Sequence, residues 1–147
     1  MEERSHDSFV GYRLFRAQRV VHRCLENALE PYGITPAQWN SLNQLASHGP
    51  MSQRELAAAV RREPATITRS LDRMEKAGLV ERFSSPNDRR VKIIGVTQAG
   101  EELLREVQPA ARVANERVER GFTAEEARLL GDLLDRVYEN CREEDQA

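Results

Sequence analysis

In the first thirty residues, apolar side chains recur at intervals of three and four. This spacing predicts one long helix from about Asp7 to Glu30 with a single apolar stripe. Pro31 and Gly33 end the helix, because proline cannot continue it and glycine tolerates the left-handed cap. The stripe consists of Val10, Leu14, Ala17, Val21, Cys24 and Ala28.

Capping boxes mark the starts of the next two helices. In "TPAQ", Thr35 can cap a helix and Gln38 can reach back to it, and Pro36 suits the first helical position. Gly49 and Pro50 end this second helix. The stretch "SQRE" is another capping box, so a short third helix is expected from Ser52 to about Val60.

A fourth helix is predicted from Pro64 to Gly78, with Ile67, Leu71 and Met74 as its buried stripe. The opposite face has small and hydroxyl side chains at its N-terminal end and cations further along. Such a face suits a helix whose N-terminal end enters a DNA major groove, although a plain amphipathic helix with a charged solvent face would look similar. This face contains Ala65, Thr66, Arg69, Arg73 and Lys76.

A β-hairpin follows the fourth helix. The segments Leu79–Phe83 and Val91–Thr97 are rich in β-branched and aromatic residues, which predicts two strands. The turn between them, "SSPNDRR", presents Arg89 and Arg90 at its tip. Two short helices followed by an arginine-bearing hairpin is the element order of a winged helix-turn-helix.

Two more helices are expected after the hairpin. One runs from Thr97 to about Arg120 and should be interrupted and kinked near Pro109. The capping box "TAEE", Thr123 to Glu126, opens the last helix. The broad apolar side of that last helix contains Leu129, Leu130, Leu133, Leu134, Val137, Tyr138 and Cys141.

A small winged domain cannot bury both this apolar side and the stripe of the first helix, so the sequence predicts a homodimer. The fold class is therefore mainly α with a small β-hairpin: a winged helix-turn-helix with N- and C-terminal dimerisation helices. Residues 1–34 and 98–147 would form the dimerisation region, and 35–97 the DNA-binding lobe, within one intertwined domain.

Charge is distributed unevenly along the 147 residues, whose net charge is −2. Between Ser52 and Lys92 ten basic residues face six acidic ones, a balance of +4, and the remainder carries −6. A basic middle between acidic ends favours phosphate binding by the middle, although an ordinary solvated surface can also show such asymmetry.

Several classes of function are disfavoured. No apolar run approaches the roughly 18 residues of a membrane span, and no signal peptide is apparent, so a soluble, cytoplasmic protein without membrane contact is expected. Cys24 and Cys141 are too few and too distant for a zinc site, which predicts reduced thiols, no metal and no cofactor. A Gly-rich phosphate loop and a catalytic constellation around a histidine are both missing, which argues against an enzyme.

The segment from "SQRE" to "VTQAG" resembles the MarR family of bacterial transcription regulators. The matching pieces are Thr68 in the fourth helix, "MEKAGLV", "DRR" in the wing and "VTQAG". Val96 departs from the family pattern conservatively, standing where leucine is usual. The resemblance implies a sequence-specific regulator of double-stranded DNA, in most members a repressor, that binds a palindromic operator as a homodimer.

The resemblance also implies roles for individual residues. Arg90 would enter the minor groove, where a narrow A·T-rich stretch has enhanced negative potential. Asp88 would stabilise the wing by pairing with a neighbouring arginine. The expected DNA-binding residues are Ser52, Arg62, Ala65, Thr66, Thr68, Arg69, Arg73, Lys76, Arg89 and Arg90.

Members of the family often respond to small aromatic acids or phenols. Here Arg16, His22 and Trp39 are the candidates for binding such a ligand, with a solvated helix face and core packing as the simpler explanations for these residues. A thiol-based redox sensor using Cys24 and Cys141 is an alternative, although Leu14 stands near the point where peroxide sensors carry their cysteine. A winged-helix protein-interaction module is a third possibility, which the cationic outer face of the fourth helix argues against.

Overall fold

The computed structural model describes residues 5–142, which divide into two compact units, 5–114 and 115–142. The ends of the predicted dimerisation region, 1–4 and 143–147, lie outside the described residues. Six α-helices and three β-strands are described. Their bounds are α1 Val10–Leu29, α2 Pro36–His48, β1 Met51–Ser52, α3 Gln53–Val60, α4 Pro64–Lys76, β2 Val80–Ser84, β3 Lys92–Val96, α5 Gln98–Val118 and α6 Ala124–Arg142. This arrangement confirms the predicted fold class, mainly helical with a small β-sheet.

The predicted capping boxes all form, because each depends only on residues three apart. In each, the cap hydroxyl accepts the N–H of the third helical residue, whose side chain accepts the N–H of the cap. The pairs are Thr35 with Gln38, Ser52 with Glu55, and Thr123 with Glu126.

The first helix starts later than predicted. Residues His6–Ser8 form a 3-10 turn, and the extended backbone of Phe9 separates it from α1, which begins at Val10. At the other end, α1 passes into a second 3-10 turn, Glu30–Tyr32, and Gly33 closes it at φ 68°. The left-handed backbone of Gly33 explains why the helix ends there.

The sheet has three antiparallel strands in the order β1-β3-β2, one more than predicted. The two predicted strands are confirmed, with Val80 opposite Val96 and Ser84 opposite Lys92. The additional strand, β1, pairs Met51 with Ile94. With only two residues, β1 offers no alternation of polar and apolar side chains from which the sequence could predict it.

The core of the first unit is formed where α2, α3 and α4 meet β3 and the first part of α5. Its fully buried side chains come from all five elements and include Leu42, Leu45, Leu56, Leu71, Met74, Ile94 and Val107. Only the C-terminal end of α1 joins this core, through Leu25 and Leu29. Nearer the start of α1, Val10, Ala17 and Val21 of the predicted apolar stripe are exposed in the single chain.

A close approach of backbone fixes the start of α5 against the end of α4. The hydroxyl of Thr97 donates to the carbonyl of Gly78 and accepts the N–H of Gly100 at 3.1 Å. A Cβ atom added at Gly100 would lie 2.3 Å from the carbonyl oxygen of Leu79. Position 100 therefore requires glycine, which accounts physically for the last residue of the "VTQAG" motif.

The predicted interruption of α5 at Pro109 is wrong, because the helix is continuous from Gln98 to Val118. Proline removes one helical N–H donor, but Val107 and Ala111, on either side of it, are both buried. Their packing and the hydrogen bonds of the neighbouring turns maintain the helix.

In the second unit, α6 carries no buried residue within its bounds, Ala124–Arg142. Its large apolar side chains are exposed in the single chain, with Leu129 at 58% and Leu133 at 43% exposure. Between residues 5 and 142, no helix combines the length and the apolar character that a membrane span requires.

Candidate nucleic-acid interface

The fourth helix separates its buried and exposed sides as the sequence predicts. Ile67, Leu71 and Met74 are buried at 3% exposure or less, so they hold α4 against the core. The opposite side is open to solvent along the whole helix. The exposed residues on it are Ala65, Thr66, Arg69, Arg73 and Lys76.

The N-terminal end of α4 is suited to an anion. Glu63 occupies the N-cap position but makes no capping hydrogen bond through its side chain, and Pro64 is the first helical residue. The backbone N–H groups of Ala65 and Thr66 belong to the first turn, where an α-helix offers no internal acceptor. These donors and the positive end of the helix dipole are therefore available to a phosphate oxygen.

Thr68 connects α4 to the helix before it. Its hydroxyl donates to the carbonyl of Pro64 at 2.9 Å and accepts a hydrogen bond from the side-chain amide of Gln53, the first residue of α3. The hydroxyl proton is thus used within the protein, and the side chain is half-buried. These hydrogen bonds fix α3 and α4 relative to each other, and the expected DNA contact by Thr68 stays a prediction.

Arg82 of β2 makes contacts that the sequence pattern did not predict. Its Nη1 donates to Asp72 Oδ1 at 2.7 Å and lies 3.4 Å from Glu75 Oε1, while its Nη2 donates to the Thr68 carbonyl at 3.4 Å. The side chain is only 18% exposed. Arg82 therefore joins the wing to α4 and neutralises two carboxylates beside the cationic face. Two acidic residues three apart on an otherwise basic helix were the signal in the sequence.

The wing places its two arginines at the tip of the hairpin, and both are exposed. Asp88 accepts the backbone N–H of Arg90 at 3.0 Å, and its two oxygens accept Nε and Nη2 of the same residue at 3.1 and 3.2 Å. The arginine that pairs with Asp88 is thus Arg90 itself. These hydrogen bonds, chiefly those from the Arg90 side chain, lower the pKa of the Asp88 carboxyl. The Arg90 side chain remains 92% exposed and is directed by Asp88.

Ser52 and Arg62 lie at the two ends of α3. Ser52 caps the helix, and its backbone N–H and hydroxyl, as hydrogen-bond partners of Glu55, lower the pKa of that carboxyl. Arg62 is exposed in the turn before α4, where its backbone N–H donates to the carbonyl of Ala57 at 3.0 Å. The preceding residue, Arg61, has a left-handed backbone at φ 56°, which produces the sharp turn between the two helices.

A pocket of about 510 Å³ lies between α1, α2 and α4. It brings together two of the three candidate ligand-binding residues, His22 and Trp39. His22 Nε2 lies 3.3 Å from Glu26 Oε1 at the edge of this pocket. The other lining residues are Leu25, Thr35, Pro36, Ala37, Asn40, Ser41, Val60, Arg62, Thr66, Ile67 and Ser70.

Arg16 does not line this pocket in the single chain, and its part in ligand binding stays a prediction. Arg16 lines a separate depression with Arg13, Ala17 and Val20, and its guanidinium lies 5.7 Å from the centre of the Tyr12 ring. Because Arg16 precedes His22 by six residues, it is displaced by about 9 Å along the helix axis.

The cysteines and possible metal ligands were the other candidates for chemistry in the sequence. Cys24 is half-buried and Cys141 is exposed, and both are free thiols. Across 5–142 there is no group of histidine, cysteine or acidic residues that could hold a metal ion.

Comparison with known proteins relates this chain to transcription regulators. A model of the MarR family matches residues 34–92. A probable transcriptional regulator from Pseudomonas aeruginosa is 29% identical, with 90% of this chain and 99% of that chain covered and a TM-score of 0.84. A cysteine-to-serine variant of MarR from E. coli, complexed with operator DNA, is 27% identical over 87% and 92% of the two chains, with a TM-score of 0.82. The transcriptional repressor CouR, bound to a DNA duplex, is 25% identical over 94% and 98%, with a TM-score of 0.87.

Proposed function

Because this chain belongs to the MarR family of winged-helix transcription regulators, we propose that it is a homodimeric repressor that a small aromatic acid or phenol releases from a palindromic operator. MarR-family proteins are DNA-binding regulators and not enzymes. The observation that carries the proposal is the exposed cationic face of α4, continued by the arginine-bearing wing.

In this proposal, α4 lies in the major groove. Ala65 and Thr66 approach base edges at its N-terminal end, and Arg69, Arg73 and Lys76 contact phosphates along its length. Arg62 and Ser52 contact the DNA sugar-phosphate backbone beside α4. Arg90 enters the minor groove under the direction of Asp88, and Arg89 touches phosphate at the groove edge. The E. coli MarR variant and CouR were both solved on DNA, which supports DNA binding by this chain.

Dimerisation is proposed because two apolar surfaces are exposed to solvent in the single chain. One lies on α1, where Val10 and Val21 of the apolar stripe are 64% and 42% exposed, and the other is the leucine side of α6. Burying such surfaces against a second copy is favourable by about 25 cal/mol per Å² of apolar area. We assign the helices within 1–34 and 98–147 to dimerisation and 35–97 to DNA binding. A two-fold dimer would present two α4 helices to half-sites about one helical turn apart.

The signal is proposed to be a small aromatic ligand in the pocket between α1, α2 and α4. The ring of Trp39 can cover the face of an aromatic ligand, and His22 can hydrogen-bond to its polar substituent. Because the pocket includes part of α4, its occupant would act on the helix that reads DNA. Release from the operator is the expected consequence.

Selection from a pool of random duplexes tests the proposal and identifies the operator in the same experiment. Recovered sequences should share a palindrome with half-sites one helical turn apart, and sedimentation of the complex should give two chains per duplex. A pool without enrichment, or binding by a single chain, would contradict it. The variant Arg69→Ala/Arg73→Ala should enrich nothing, whereas Arg13→Ala, which removes a cation from α1, should recover the same palindrome.

A further inference from the structure

The pocket between α1, α2 and α4 and the proposed DNA surface share side chains. We propose that an aromatic carboxylate bound in this pocket and operator DNA compete directly for Arg62 and Thr66. This inference rests on the proposed function and specifies how the ligand acts. It differs from a mechanism in which the ligand only alters the spacing between the two recognition helices of a dimer.

The lining of the pocket suits a single aromatic ring. Leu25, Trp39, Val60 and Ile67 provide apolar and aromatic walls, and the volume of about 510 Å³ lies within the range typical of small-molecule sites. Polar residues also line the pocket, and three of them, Arg62, Thr66 and Ser70, come from α4 and the turn before it.

The charged residues of the pocket determine the orientation in which the ligand binds. Arg62 can bind a carboxylate through two parallel hydrogen bonds. Glu26, paired with His22 on α1, repels a carboxylate but can accept a hydrogen bond from a hydroxyl group. A ring with a carboxylate at one end and a hydroxyl at the other therefore matches the pocket, with the carboxylate at Arg62 and the hydroxyl at His22 and Glu26.

Arg62 and Thr66 are exposed, and they are the same residues that the DNA-binding proposal places at the phosphate backbone and the major groove. A guanidinium that holds a carboxylate in two hydrogen bonds cannot hold a phosphate in the same geometry. Thr66 lies in the first turn of α4, so a ligand against it would occupy space that DNA needs. The protein would then bind the ligand or the operator, and no ternary complex would form.

Trp39 provides a direct readout, because the chain has a single tryptophan and this residue lines the pocket. The probe is 4-hydroxybenzoate, with cyclohexanecarboxylate as a non-aromatic control, titrated into the full chain while tryptophan fluorescence is recorded. We expect saturable quenching by 4-hydroxybenzoate only. Arg62→Ala should weaken this binding at least about tenfold, the scale of one lost charge-assisted hydrogen-bond pair. Arg54→Ala removes the same charge from α3 outside the pocket and should leave it unchanged.

The decisive measurement is the apparent Kd for the selected operator at increasing 4-hydroxybenzoate concentration. Direct competition predicts that this Kd rises in proportion to ligand concentration, without a plateau, once the ligand exceeds its own Kd. A plateau, or equal quenching of Trp39 in the DNA complex, would overturn the proposal, and so would the absence of quenching in free protein. Failure of the unliganded protein to bind any duplex would instead refute the proposed function itself.

Discussion

Replacing Arg82 by methionine tests whether the wing and α4 act as one DNA-reading unit. The substitution keeps most of the apolar stem and removes the guanidinium that joins β2 to α4. Asp72 and Glu75 are 54% and 45% exposed, so water can solvate both carboxylates once the guanidinium is gone. The cost in stability is therefore that of two surface ion pairs and one weak hydrogen bond, about 1–2 kcal/mol in total.

The substitution should also weaken DNA binding, by a cause separate from the loss of stability. Without Arg82, two unpaired carboxylates would lie beside Arg69 and Arg73, and the wing would lose its attachment to α4. We expect the affinity for the selected operator to fall about tenfold, which corresponds to about 1.4 kcal/mol, while the circular dichroism spectrum stays that of the wild type. Affinity would be measured by fluorescence anisotropy, and stability by thermal unfolding.

A double-mutant cycle with Asp72→Asn isolates the shorter of the two ion pairs. Stability measurements on both single variants and the double variant should give an interaction energy of about 0.5–1 kcal/mol. In DNA binding, Asp72→Asn should partly restore the affinity lost by Arg82→Met, because it removes one repulsive charge. The reasoning would be refuted if Arg82→Met bound the operator as tightly as the wild type.

Three further substitutions test other parts of the structure. Gly100→Ala should lower stability by about 1–3 kcal/mol, seen as a lower Tm, because its Cβ meets the Leu79 carbonyl at 2.3 Å. Gly131→Ala, whose Cβ meets nothing within 4 Å in α6, should not lower it. Asp88→Asn should reduce Tm near neutral pH, and the difference from wild type should vanish on acidification. A carboxyl whose pKa is lowered in the folded state stabilises the protein above its ordinary pKa of 3.8, and it loses this effect as pH falls through the folded-state pKa. A difference in Tm that is undiminished at about pH 3 would contradict the prediction. Leu133→Glu should convert dimer to monomer in sedimentation experiments, whereas Arg128→Glu, on the same helix outside the leucine side, should remain dimeric.

Local signals in the sequence predicted most elements of the fold. The capping boxes and the buried stripe of α4 depend on residues three or four apart, and the pattern of side chains determines both. Strand β1 escaped prediction because its two residues become a strand only by pairing with β3. Pro109 was expected to interrupt α5, yet the packing of its neighbours outweighs the lost donor.

The candidate site was predicted less completely than the fold. The cationic face of α4 and the wing arginines were identifiable because they are contiguous in sequence. The contacts of Arg82 cross from β2 to α4, ten residues from Asp72 and fourteen from Thr68, and depend on how the strand packs against the helix. The pocket combines residues of α1, α2 and α4, so its sharing of Arg62 and Thr66 with the proposed DNA-binding surface was visible only in the structure.

The most direct test of DNA reading by both α4 and the wing is fluorescence anisotropy on the selected duplex and on a scrambled duplex of equal length. Wild type and Arg90→Ala would be compared at several salt concentrations. We predict tight binding to the selected duplex only, an affinity that falls steeply with salt, and a loss of about tenfold in the variant. Equal, weak binding to both duplexes, unchanged by Arg90→Ala, would contradict the account.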